Sequence, residues 1–413
     1  MNTKVRIVAA LWFVSLVNYL DRVAMSFAGP SIMASLSLTP AQFGIVLSSF
    51  GFGYALALVP GGLLTDRIGV RPMLVVGPLF WALFTGVTGL VSTIAAFLVV
   101  RFCFGLSEGA FSSSLYKAVG DNFAAKQRAV ILAVCMSALA IGPALAGLLV
   151  GTLVTRYSWQ TMFVFMAVPA LLASVVAYIL VPRAGERADR DNPNELEAAV
   201  GDRPRFRQVL KRPSLWLICL SNLSSDIAQW GFNGWMPTYL AMERHIDLKH
   251  AGMLGGIPYM AGFFGLLIGG SLGSTELLHL RRGQMVIICF LAAGISLFLA
   301  YNAAALSIAV LGLSLTSFFM FSALALKGAV VIDLAPEQYR AAYFGIYTTV
   351  GQVGGASAPA IIGFMVTASG SFATGFAFMI AALCTGAVCM TALLPMLTRH
   401  RIASGQALKA AVA

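Results

Sequence analysis

The chain has 413 residues, of which 59% are hydrophobic and only 10% charged, with a formal net charge of +11 and a mean hydropathy of +0.86. An ordinary globular domain carries about 25% charged residues, so a soluble fold would be left with almost no polar surface. The apolar residues instead fall into blocks of roughly 18 to 25, enough to cross about 30 Å of hydrocarbon as helix.

Twelve such blocks follow in chain order, near 7–29, 41–64, 73–92, 95–119, 129–153, 161–182, 213–240, 251–275, 285–302, 304–333, 342–368 and 374–397. Backbone groups in lipid must be satisfied within the segment, so the blocks predict an all-α polytopic membrane protein. The first block lacks a small-residue cleavage site and is too long for a signal-peptide core, so it is expected to remain as an anchor. With the N-terminus inside, twenty basic residues fall on inner segments, and only Arg156, Arg244 and Lys249 fall outside. That bias predicts two cytoplasmic termini. Basic residues scattered over short loops also exclude a nucleic-acid footprint, which needs them on one face. The six cysteines lie in apolar blocks and read as buried small hydrophobes. The four histidines lie near loops, so no metal site and no cofactor beyond a coupling proton is expected.

Between Arg183 and Arg212 the chain carries eight basic and six acidic residues and no spanning block. This predicts a cytoplasmic linker over 183–212 between a six-helix half at 1–182 and a second half at 213–413 with a short tail. Within the linker, "NPNELEAAV" has the pattern of a short surface helix capped by Asn192 or Asn194. The halves also resemble each other. "LWFVSLVN" from Leu11 is echoed by "LWLICLSN" from Leu215, and the next block of each half ends in a glycine pair, Gly61-Gly62 and Gly269-Gly270. Two related halves with a site at the midplane is a plan of secondary transporters.

After the second block comes "GGLLTDRIGVRP", with Gly62, Asp66, Arg67, Gly69 and Arg71 in fixed spacing. Positive-inside charge explains the arginines but not Asp66 or the glycines. The run resembles the G-x-x-x-D-R-x-G-x-R signature of the major facilitator superfamily. The resemblance implies that fold and a gating role, in which the charges pair with each other and with a neighbouring helix start. In the second half, "GGSLGSTELLHLRRG" has Ser274 or Thr275 near the position where an Asp would be expected.

Charges inside the blocks cost at least about 2.5–3.5 kcal/mol each and mark a pathway or relay. Asp21 and Arg22 stand in block 1, and Arg101 and Glu108 share one face of block 4. A static ion-pair network is the alternative, but apolar packing would join two helices with less penalty. Carboxylates in low-dielectric surroundings can exchange protons near neutral pH, whereas arginine keeps its charge and can hold an anion. Together these residues suggest a proton-coupled anion carrier.

"NYLDR" and "R-x-x-x-G-x-x-E-G" resemble the anion:cation symporter branch of the superfamily, which includes galactonate, glucarate and hexuronate carriers. "GFNGWMPTYL" and "YFGIYTTVGQVGGASAPAIIGF" resemble it too. The resemblance implies that Asp21 and Glu108 carry protons and that Arg22 and Arg101 meet the substrate carboxylate. It also implies that Tyr19 and Tyr54 line the pocket, and it sets Gln352 where the branch often has Asn. One departure is "CMSALAIGPALAG" in block 5, which lacks the amide that sugar-acid members tend to place there. Asp226 and Lys327 match no hallmark. Lys327 either snorkels to the inner surface or holds a second carboxylate; Asp226 either pairs with a block 1 group or lies in a watery cavity.

The resulting expectation is a proton:organic-anion symporter in a bacterial inner membrane, functional as a monomer. Its rivals are an exchanger of the same fold and a transport-dead metabolite sensor. The sensor is disfavoured because the longest soluble stretch is about 30 residues, and no nucleophile–base or phosphate-cradling motif marks an enzyme.

Overall fold

The computed structural model describes residues 3–123, 125–182, 210–275, 278–335 and 340–403, and it is all-helical over them. The helices are α1 (Thr3–Leu36), α2 (Pro40–Ile68), α3 (Val70–Thr88), α4 (Ile94–Asn122), α5 (Ala125–Met136), α6 (Ala138–Arg156), α7 (Trp159–Leu180), α8 (Pro213–Met242), α9 (Leu248–Ser274), α10 (Arg282–Asn302), α11 (Leu306–Leu334), α12 (Arg340–Ser369) and α13 (Ala373–Ala403). Most of the linker expected at 183–212, with the surface helix at "NPNELEAAV", lies outside the described residues.

Among the described residues, eleven helical stretches are long and apolar enough to cross a membrane, one of them running through α5 and α6 from Val130 to Arg156. The expected twelfth, α8, has the length but also carries Asn222, Ser224, Ser225, Asp226, Gln229 and Asn233, and it is not among the eleven. The surface is the reverse of a soluble protein's. Leu56, Val59, Ile288 and Val388 are each more than 60% exposed, while Asp21, Arg101, Glu108 and Lys327 are all at most 2% exposed. Apolar side chains thus face outward, and charges sit inside.

Local chemistry sets the helix ends. Thr39 and Gln42 form a capping box at the start of α2, with Pro40 in the first helical position. Thr93 and Ser158 cap α4 and α7 more simply, each hydroxyl accepting from the backbone N–H three residues on. Asp247 accepts from the His250 N–H at 3.1 Å ahead of α9, and that bond, seconded by the His250 ring, holds its carboxyl below the usual carboxylate range. Block 5 is interrupted at Ser137, where its N–H is shared between Ala133 and Val134 and its hydroxyl accepts from Trp12 of α1. Pro143, which cannot donate to the turn before it, follows six residues later.

The described chain forms two compact units, which are drawn differently from the two sequence halves. Unit 1 holds α1 to α7 with Asn233–Gly256 and Pro359–Ser371. Its helices pack chiefly as α2 on α4, α3 on α7 and α1 on α6. Where α1 ends and α2 begins, the later segments close over them. Thr238 donates to the Ser26 carbonyl at 3.1 Å, the Ala360 N–H to Ser48 at 3.0 Å, and the Ala41 N–H to Thr367 at 2.8 Å. Trp235 meets Phe43 edge-on and donates to the Pro359 carbonyl. Unit 2 holds the rest of α8, α9 and α12 with α10, α11 and α13, and α10 packs on both α11 and α13.

Candidate functional site

The charged pocket of unit 1 depends on the crossing of α2 and α4. A Cβ on Gly105 would lie 2.1 Å from the Phe50 carbonyl oxygen, and one on Gly109 would lie 2.2 Å from that of Tyr54. Only bare glycines let the backbones approach this closely. The glycines of "R-x-x-x-G-x-x-E-G" therefore bring Glu108 and Arg101 level with the aromatic rows of α2.

Arg22 of α1 reaches across this crossing. Its Nη2 and Nε donate to Oε2 of Glu108 at 2.7 and 3.0 Å, and Nη2 lies 3.5 Å from Asn18 Oδ1. The guanidinium sits over the rings of Tyr54 (4.7 Å), Tyr19 (5.2 Å) and Phe50 (5.4 Å). Such stacking favours a cation that has lost water. Glu108 is fully sealed, while Arg22 keeps 20% of its side chain accessible. The arginine is thus the member of the pair that an incoming anion can meet.

The other two charges do not join this pair. Arg101 is 1% exposed and stacks on Phe104 (4.7 Å) and on Phe50 (5.3 Å), and its Nε has no hydrogen-bond partner. Phe50 therefore contacts both guanidinium groups. Asp21 is 2% exposed; one oxygen accepts from the Thr85 hydroxyl at 3.3 Å, and the other has no partner. Among the described residues, no ion pair is made by Asp21 or Arg101. The four charges thus resolve into one ion pair, one carboxyl on a hydroxyl and one guanidinium on rings.

The gating motif is assembled differently from its expectation as well. Gly69 has φ +89°, a left-handed geometry that a side chain would strain, and it is the single residue joining α2 to α3. Asp66 pairs with Lys117 of α4, a residue to which the sequence analysis gives no role. Arg71 donates to the Tyr178 carbonyl at 2.8 Å and stacks on that ring, while Arg6 takes the Ile179 carbonyl at 2.9 Å. Both therefore satisfy last-turn carbonyls of α7, where the helix dipole favours cations. Gly62 precedes the turn on α2, and Arg67 is exposed. In unit 2 the acid expected near Ser274 comes instead from α11. Arg282 pairs with both oxygens of Asp333, at 3.1 and 3.0 Å, and donates to the Gly273 carbonyl at 2.7 Å.

Unit 2 also brings Asp226 and Lys327 into one cluster. Lys327 Nζ donates to Asn222 Oδ1 at 2.8 Å and to the Ser225 hydroxyl, and it lies 5.7 Å from the Phe290 ring centre. Asn222 in turn donates to Asp226 at 3.2 Å. Lys327 is 2% exposed, so it does not snorkel to a surface. Gln352 follows Gly351 on α12, and its Oε1 is buried without a partner. The sequence analysis did not single out Asn18, Phe50, Thr85, Lys117, Asn222 or Ser225. Only Asn18 and Asn222 left a signal there, as the closing residues of the repeated eight-residue run.

A chain that is all-helical over its described residues, with an apolar exterior and internal ion pairs, is a multi-pass membrane protein. It belongs to the Major Facilitator Superfamily, whose profile matches residues 11–359. It is 27% identical to a hexuronate transporter of Bacillus subtilis (strain 168) over 90% of each chain. It is also 27% identical to a probable sulfoacetate transporter of Cupriavidus necator, covering 96% of this chain and 95% of that one. A probable galactarate/D-glucarate transporter of Bacillus subtilis matches at the same identity over 92% of this chain and 89% of its own. Among solved structures, a bacterial homologue of the human lysosomal transporter Spinster superposes with a TM-score of 0.74 at 18% identity, covering 99% and 98% of the two chains. These relatives are transporters, not enzymes, and the hexuronate and galactarate/D-glucarate transporters match the sugar-acid branch that the α1 and α4 motifs resemble.

Proposed function

We propose that the protein takes up a small organic anion, a sugar acid or another mono- or dicarboxylate, together with protons by alternating access. The observation that carries this reading is the Arg22–Glu108 pair, with its acid sealed and its base accessible. A proton on Glu108 removes the charge that holds the guanidinium, and Arg22, fixed among Tyr19, Tyr54 and Phe50, then takes the substrate carboxylate. When the anion leaves, Arg22 reclaims the acid and expels the proton. Asp21 is the second proton carrier. Arg101, fully buried, keeps the pocket positive from behind Phe50. Gln352 is assigned to the substrate in unit 2. The transporters to which the chain is similar are named for hexuronates, galactarate and glucarate, and sulfoacetate. Each of these is an organic acid.

The reading includes a bacterial inner-membrane location, twelve crossings in two six-helix halves, cytoplasmic termini and a monomeric working unit. Proteoliposomes test it. Glucuronate accumulation should follow an imposed pH gradient, acid outside, and collapse with a protonophore. Glu108→Gln should abolish accumulation while exchange of labelled for unlabelled substrate continues. Uptake that ignores the pH gradient but requires substrate inside would identify an exchanger instead.

A further inference from the structure

The repeat that links α1 to α8 defines a register. In it Asn18 corresponds to Asn222, Asp21 to Ser225, and Arg22 to Asp226. A second register comes from the helix crossings, because Gly61 of α2 meets Ala110 of α4 and Gly269 of α9 meets Ser322 of α11. In that register Lys327 falls at Leu115, seven residues and about two turns beyond Glu108 on the same helix face. The ion pair of unit 1 thus has its base on the first helix and its acid on the fourth. Unit 2 carries the acid on the first helix and the base on the fourth. The asparagine one turn before the first-helix charge is kept in both, and it contacts that charge in both. Around the shared asparagine the second cluster thus has the signs of the Arg22–Glu108 pair exchanged, with its base two turns further along the fourth helix.

The second cluster differs in one further respect that bears on chemistry. Arg22 touches its acid directly, whereas Lys327 and Asp226 are separated by the Asn222 amide, which accepts from one and donates to the other. If Asp226 becomes neutral, Lys327 still keeps its bonds to Asn222 and Ser225. The cluster can therefore gain or lose a proton without rearranging the lysine. Access is one-sided as well. Lys327 is sealed, but Asp226 is only half-buried. The α12 backbone covers the Oδ2 side, where a Cβ on Gly351 would lie 2.3 Å from that oxygen. The titratable groups that face Asp226 are Lys327 of α11 and Tyr347 of α12.

We propose that Asp226 is a further proton-accepting site, with Lys327 as its fixed counter-charge, so that each transport cycle moves one proton more than the acids of unit 1 account for. This rests on the proton-coupled reading above. A proton is received at the Asp226 carboxylate, whose Oδ2 already accepts from Asn222, and is given up from the same group, and no other covalent bond changes.

Reversal-potential measurements on proteoliposomes, with labelled glucuronate and a fixed pH gradient, count the protons directly. Asp226→Asn combined with Lys327→Gln removes both charges while keeping polar side chains in place. Its proton count should fall by one, which lowers the accumulation ratio about tenfold per unit of pH gradient. An unchanged count in that double variant overturns the proposal. Should the double variant fail to fold, infrared titration of the Asp21→Asn/Glu108→Gln protein serves instead. A protonated-carboxyl band that grows on acidification and disappears with Asp226→Asn supports the site, and its absence overturns it. The Glu108 reading fails separately, if Glu108→Gln alone still accumulates substrate.

Discussion

Arg22 on α1 holds the sealed carboxylate of Glu108 on α4 through two N–H groups that converge on one oxygen, at 2.7 and 3.0 Å. Lysine cannot reproduce that convergence, because it presents one compact ammonium rather than a planar set of donors. Arg22→Lys should therefore fold but lose at least tenfold in glucuronate uptake. Arg22→Ala leaves a buried acid alone, which costs about 3–5 kcal/mol, and should lower the melting temperature of the purified protein markedly. Equal melting of Arg22→Ala and wild type would mean that the pair carries no such energy.

Phe50 contacts both guanidinium groups, so its ring serves two cations at once. Each contact is worth roughly 0.5–2 kcal/mol, depending on desolvation. Phe50→Leu keeps the apolar volume but removes the ring, and it should weaken substrate binding about tenfold. Phe50→Tyr should bind within threefold of wild type. Calorimetric titration with glucuronate separates these outcomes.

The crossing of α2 and α4 has no room for a methyl group at Gly105 or Gly109. Either residue changed to Ala must push the helices apart, at a cost of about 3 kcal/mol or more given a backbone contact near 2 Å. Gly77→Ala is the internal control, since its nearest neighbour would stand at an ordinary 3.7 Å. Size-exclusion profiles of detergent extracts should show the first two aggregating and the third eluting as wild type.

Asp66 and Lys117 are 64% and 31% exposed, so their pair contributes at most about 1 kcal/mol to stability. Its effect should appear in rate rather than in melting. Asp66→Asn or Lys117→Gln should slow uptake severalfold with melting unchanged. The exchanged pair, Asp66→Lys with Lys117→Asp, should recover much of the rate if attraction alone matters.

A Cβ on Gly44 would stand 2.5 Å from the Pro359 carbonyl oxygen, inside the closed end of unit 1. Gly44→Val should hold that end open. A cysteine introduced at Ser48, which bonds the Ala360 N–H at 3.0 Å, should then react with a water-soluble maleimide faster in the valine variant. Equal rates would mean that the seal does not depend on this contact.

Much of this architecture could be read from the sequence, because the membrane simplifies the physics. Span length and backbone satisfaction both act over tens of residues, so every expected block has a helix over it. The interruption of block 5 at Ser137 was not legible. It depends on a hydroxyl of one helix accepting from Trp12 of another. The site was legible where charge itself was improbable, at Asp21, Arg22, Arg101, Glu108, Asp226 and Lys327. The pairing among these charges was not, since periodicity gives the face of a helix but not the depth at which two helices cross. Asn18 and Phe50 are ordinary residues in apolar runs, and only three-dimensional proximity gives them a role. Lys117 likewise owes its role to Asp66, a residue on another helix.

Unit 1 takes Asn233–Gly256 and Pro359–Ser371 from the second half of the sequence. A gene cut within the linker, between residues 183 and 209, would sever no described helix, yet neither fragment would encode unit 1 whole. The amino-terminal fragment made alone would lack Thr238, Trp235 and Ala360, leaving Ser26, Phe43 and Ser48 without their partners. Co-expression of the two fragments should restore a functional carrier. The joining of the two fragments then belongs to the helix ends rather than to the covalent connection between them.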